Sequence, residues 1–69
     1  SMALPVYHPE VLVSIIVDNG PRKFAMINER KIGIGENGGG FTLKAIHKNS
    51  VTVRYSDGVE ETIHVKAYY

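Results

Sequence analysis

No stretch of this chain sustains an apolar pattern through three helical turns. From Val11 onward, runs rich in Val, Ile, Thr, Phe and Tyr are cut every few residues by Gly, Asn, Asp or Pro. A helix needs an unbroken amphipathic window between its start and stop signals, and none is present. Short β-branched and aromatic runs bounded by turn residues are the pattern of sequential strands joined by tight turns. Six strands are expected: Val11 to Val17, Arg22 to Ile27, Arg30 to Ile34, Phe41 to His47, Val51 to Tyr55 and Val59 to Val65. The fold class is therefore all-β, and the glycine stretch Gly33 to Gly40 divides the strands into two groups of three.

Turn chemistry constrains the pairing. Asp18 to Pro21 joins the first two strands, with Asn19-Gly20 tolerant of positive φ and Pro21 unable to extend the ladder. The Asn28-Glu29 tip is less regular, because the second position of a type I′ turn favours Gly, so a longer or strained turn is expected. A two-residue Asp57-Gly58 turn would set Tyr55 against Glu60 and mix the two faces. A three-residue loop, Ser56-Asp57-Gly58 with Gly58 left-handed, pairs Tyr55 with Val59 and Val51 with Ile63 and keeps the apolar residues together. The same register sets Arg54 opposite Glu60 and Thr52 opposite Thr62. In the fourth strand Phe41 and Leu43 share a face but Ile46 falls on the other, which predicts a bulge near Lys44 or Ala45.

The chain has 69 residues, no Cys, eight Lys or Arg, seven Asp or Glu and three His. A domain of this size removes only roughly 60% of the unfolded chain's surface from water, so each buried apolar side chain matters. The lack of Cys excludes disulfides, thiol catalysis and thiolate zinc sites. A formal net charge of +1, with acids interleaved among the bases, provides neither the excess nor the stripe expected of a nucleic-acid binder. No apolar run approaches the ~20 residues of a membrane-spanning helix. Ser1-Met2 reads as the scar of a cleaved tag, residues 1–10 as scar and linker or lead-in, and 11–69 as one domain, an excised piece of a longer protein.

Gly33 to Gly40 superficially resembles a phosphate loop, but it lacks Gly-Lys-Ser/Thr and runs into a strand instead of a helix. It reads as a flexible link between the two halves. His8, His47 and His64 match no zinc spacing, and His64 alternates onto a polar face. Glu60 and Glu61 are adjacent in a strand and point to opposite faces, so they cannot converge on one substrate. Ser14, Ser50 and Ser56 lie in no nucleophile motif. The aromatics Tyr7, Phe24, Phe41, Tyr55, Tyr68 and Tyr69 would make a base-stacking platform only if they shared a face, and alternation assigns Tyr55 to the core. The expectation is a protein without enzymatic activity, metal or cofactor. Its remaining resource is geometry, because an open sheet edge can be extended by a partner's strand. The candidate partner-binding residues are Val11, Val13, Ile15 and Val17, in a strand apolar on nearly both faces. That strand is read either as central and buried on two sides, or as an edge sheltered by a protein partner or a second copy.

The segment FAMIN…KIGIGENGGGFTLKAIHKNSVTVRYSDGVEETIHV, Phe24 to Val65, resembles a small periplasmic β-domain of bacterial type II secretion and type IV pilus assembly proteins. The relevant members are the homology region of the secretion C component, the pilot-like pilus lipoprotein P and the C-terminal domain of the secretion B component. The resemblance lies in Ile27-Asn28, Lys31, Gly35-Glu36, Ala45-Ile46, Ser50 to Val53 and Asp57-Gly58. The glutamate at position 29 departs from the family's usual Asn-Gly tip. The resemblance implies two three-stranded antiparallel sheets packed as a small sandwich or flattened barrel. It also implies a noncatalytic periplasmic role linking inner-membrane components to the secretin, with an inner-membrane anchor outside this chain. The alternatives are a small SH3-like or OB-like barrel binding nucleic acid, and an enzyme fragment or regulatory appendage.

Overall fold

The structure, a computed structural model, describes residues 7–66. The Ser1-Met2 scar, Pro5, Tyr68 and Tyr69 lie outside these residues. Six strands follow in order: β1 (Val13–Asn19), β2 (Arg22–Ile27), β3 (Arg30–Gly33), β4 (Phe41–Ile46), β5 (Ser50–Tyr55) and β6 (Glu60–His64). They form two antiparallel three-stranded sheets, β1-β2-β3 and β4-β5-β6, as the turn pattern predicts. The strand bounds agree with expectation to within a residue, except that β1 starts and ends two residues later.

Alternation brings the inward residues of both sheets into one core. Val13, Ala25, Ile27 and Ile32 come from the first sheet and Phe41, Leu43, Ile46, Val51, Val53 and Tyr55 from the second, with Val11 from the lead-in. Burying a Val, Leu, Ile or Phe side chain stabilises by about 1.5–3 kcal/mol, so this cluster is the main force holding the sheets together. The β4–β5 register slips between Leu43 and Ala45. That bulge returns Ile46 to the core beside Phe41 and Leu43. Across the last hairpin Val51 faces Ile63, Thr52 faces Thr62 and Arg54 faces Glu60. Gly58 has φ of 90°, and the Tyr55 amide donates to the Val59 carbonyl at 2.8 Å, the three-residue loop with a left-handed glycine.

Of two irregular connections, the Asn28-Glu29 turn takes the strained form of the expectation and the glycine link differs from it. Ile27 pairs with Arg30, so the Asn28-Glu29 turn is not lengthened. Both residues take the left-handed conformation, φ 51° and 65°, as a two-residue type I′ turn requires. Asn28 also fastens the lead-in. Its side chain accepts from the Leu12 amide at 2.9 Å and donates to the Glu10 carbonyl at 2.8 Å, while its own amide donates to the Leu12 carbonyl. An Asx side chain tolerates this backbone and substitutes for a missing strand neighbour.

The glycine link is a built turn, not a loose one. Gly35 donates to the Leu43 carbonyl at 2.7 Å, Leu43 to the Glu36 carbonyl at 3.0 Å and Gly38 to the Phe41 carbonyl at 2.8 Å. The Glu36 carboxylate accepts from the Gly33 amide. A Cβ at Gly38 would lie 2.3 Å from the Phe41 ring and 2.6 Å from Ile32 Cδ1, so glycine is needed here for space.

Residues 8–12 cross from one sheet to the other. The His8 ring stacks on Tyr55 with centroids 3.9 Å apart, and its Nε2 lies 2.8 Å from Asp57 Oδ2. Pro9 packs beside Gly40. The lead-in thus ties the Asn28 tip of the first sheet to the β5–β6 loop of the second.

Candidate interaction surface

Two open sheets have four edges, and exposed edges invite unwanted pairing unless they are blunted. The β4 edge is covered by the glycine turn through Gly35 and Glu36, with a further bridge between Asn37 and Thr42. The β6 edge carries exposed Glu60 and Glu61. β3 is four residues long and carries exposed Arg30 and Lys31. By contrast, β1 has seven residues, VSIIVDN, with Asp18 as its one charge. The Lys66 amide donates to the Val13 carbonyl at 3.1 Å. Among the described residues, no backbone bond outside the β1–β2 ladder reaches Ile15 to Asn19.

A bulge in β1 decides which side chains face outward. The β1–β2 register slips between Val13 and Ile15, with the Ser14 hydroxyl directed at the Met26 carbonyl at 3.4 Å. After the slip, Ile16 packs against the core, whereas Ile15 opposite Met26 and Val17 opposite Phe24 lie on the outer face. Lys31 stands next to Met26 and Gly33 next to Phe24 on the following strand. Ile15 is 54% exposed, and Val17, Phe24 and Met26 are half-buried. The Lys31 ammonium lies 4.6 Å from the Phe24 ring centroid, a cation–π contact. A groove of about 490 Å³ opens beside Phe24, with Arg22, Lys23, Lys31 and Glu36 in its walls.

The four sequence-predicted contact residues therefore separate. Val11 is 8% and Val13 1% exposed; both are core, because the chain enters β1 from the lead-in and the bulge comes only after Val13. Ile15 and Val17 remain at the surface. β1 is an edge strand, not a central one buried on two sides. Period-two alternation drawn through Ser14 without a slip puts Val13, Ile15 and Val17 on one face. Phe24 and Met26, across from Val17 and Ile15, and Lys31, across from Met26, also belong to the surface although the predicted contacts do not include them. Their signal was present in the alternation of β2 and β3.

A cluster of ionisable side chains forms the His8 clasp. Burial and the hydrogen bond to Glu61 push the Tyr55 hydroxyl up to about 12, leaving a neutral phenol that donates to the Glu61 carboxylate. The hydrogen bond from His8 holds the Asp57 carboxyl below its ordinary range. This arrangement locks the lead-in onto the second sheet. Among the described residues, no three His, Asp or Glu side chains are grouped to hold a metal ion. Glu60 and Glu61 point to opposite faces, and His64 is exposed.

No protein-family model matches the sequence, and comparison with curated proteins and with solved structures finds no match.

Proposed function

We propose that this chain is a noncatalytic protein–protein interaction module of a bacterial type II secretion or type IV pilus assembly apparatus, linking inner-membrane components to the secretin from the periplasm. The observation that carries the interaction role is the unblunted β1 edge lying beside the apolar outer surface of Ile15, Val17, Phe24 and Met26. Strand addition supplies affinity through main-chain hydrogen bonds and specificity through alternate side chains. The assignment to a secretion or pilus apparatus rests on the resemblance of Phe24 to Val65, and the anchor to the inner membrane belongs to the same reading.

The test is a pull-down against the secretin's periplasmic domains at moderate salt, followed by amide chemical-shift mapping. Binding with shifts concentrated in β1 is expected. Failure of every secretin domain to bind would overturn the assignment. The cations Arg22, Lys23 and Lys31 around Phe24 favour one rival, a nucleic-acid surface. That rival requires oligonucleotide affinity falling steeply with salt, because each neutralised phosphate releases counterions.

A further inference from the structure

The β1 strand is self-complementary. We propose that two copies of this chain pair β1 with β1 in antiparallel register about a two-fold axis at Ile16, forming a six-stranded sheet whose formation hides the edge from other partners. The inference rests on the reading of β1 as the strand-addition edge.

An isologous contact must satisfy the same residues twice. Centred on Ile16, the register sets Ile15 opposite Val17 of the second copy and Ser14 opposite its Asp18. Residues directly opposite share a face. Ile15 and Val17 already lie outward and Ile16 inward, so the Ile15–Val17 and Ile16–Ile16 pairs meet on the correct side. The only charge in the strand never faces its own copy. Asp18, 3.8 Å from Lys23 in its own chain, stands near the neutral Ser14 and not near another carboxylate. Shifting the axis to Val17 would set Ile16 opposite Asp18, placing a carboxylate against an apolar residue on the inner face. The two-fold also joins both outer faces, so that Met26 and Ile15 of one copy run into Val17 and Phe24 of the other, and the reverse. Ile15, 54% exposed in the single chain, gains Val17 of the second copy as a lateral neighbour. The other edges do not offer this match. Centred on Thr62, β6 would set Glu61 opposite Ile63; centred on Lys31, β3 would set that cation against its own copy; and β4 is covered.

Sedimentation equilibrium from dilute to concentrated protein tests the association, and cysteine cross-linking tests the register. The mass is expected to rise from monomer toward dimer with concentration. Ile15→Lys and Val17→Lys are each expected to weaken association at least about tenfold while leaving the circular dichroism spectrum unchanged, and Thr62→Lys on the opposite sheet is expected to leave association intact. The chain has no Cys of its own, so a mixture of Ile15→Cys and Val17→Cys proteins reports register directly. The mixed 15–17 disulfide should outnumber both symmetric ones. Predominance of the 15–15 or 17–17 species overturns the register. A monomer at every concentration overturns the inference outright; if secretin domains still shift the β1 amides in that case, the strand-addition reading survives it. If neither association nor partner binding occurs, both fall.

Discussion

The two sheets turn opposite characters to the outside. The second sheet presents Thr52, Arg54, Glu60, Thr62 and His64, polar side chains that bond among themselves: Thr52 to Thr62 at 3.3 Å and His47 to Thr52 at 3.0 Å. The first presents Ile15, Val17, Phe24 and Met26, with the Lys31 ammonium over the Phe24 ring. An antiparallel sheet in a small sandwich normally has one wet face, and the second sheet follows that rule. The first sheet departs from it at the same place where its edge is left open. The lesson is that the exposed apolar face and the unpaired backbone are one surface, and that the core does not account for either.

The sharpest way to break this comparison is to truncate the same residue type on each side of it. Phe41→Ala, in the core, is expected to cost about 3–5 kcal/mol. Phe24→Ala, on the outer face, should cost about 1 kcal/mol. Urea denaturation checks both, and equal losses would mean that Phe24 is a core residue. Next in size is Gly38→Ala. Its Cβ collides with Phe41 and Ile32, residues that belong to different sheets, so about 1–3 kcal/mol of destabilisation is expected.

Glu29→Gly acts in the other direction. A non-glycine residue held left-handed costs roughly 1–2 kcal/mol, partly offset by the greater unfolded-state freedom of glycine. A net gain near 0.5–1 kcal/mol should raise Tm by a few degrees for a domain this small. Smaller still is the effect of Ile15→Lys on stability, within about 0.5 kcal/mol, although it should abolish binding through β1. Thr62→Val on the wet face should leave binding unchanged.

The smallest effects are those of pH. Tyr55 holds its proton more tightly folded than unfolded, so its contribution is complete below pH 10 and is lost as pH rises toward about 12. Asp57 is the reverse case. Its folded pKa lies below the unfolded value, so its contribution is present above the ordinary carboxylate range and is lost as pH falls through the lowered value. His8→Ala should remove most of that acid dependence, and thermal melts across pH would reveal it.

Much of the fold was legible because turn residues and alternation speak about neighbours in sequence. Gly58, the Lys44 bulge and the Val51–Ile63 register all follow from which spacing keeps apolar residues together. The bulge after Val13 was not legible in the same way. Every residue around it but Ser14 is apolar, so a slip leaves the pattern looking apolar on both faces, and only the core's need for both Val13 and Ile16 fixes it. The glycine turn was misjudged as loose because its hydrogen bonds run to Phe41 and Leu43, which composition does not reveal. The Asn28 tip kept two residues because its side chain gains the Glu10 and Leu12 backbone as partners, a tertiary contact that offsets the unfavourable glutamate beside it. As for the surface, the strand was identifiable but its outward residues were half misassigned, for the reason the bulge provides.

Hydrogen exchange resolved by residue, at a concentration where the chain is monomeric, tests the central claim most directly. The account predicts rapid exchange at those amides of Ile15 to Asn19 that point away from β2, and slow exchange at Leu43 on the covered β4 edge. Uniform protection along β1, or exchange at Leu43 as fast as at the open β1 positions, would contradict it.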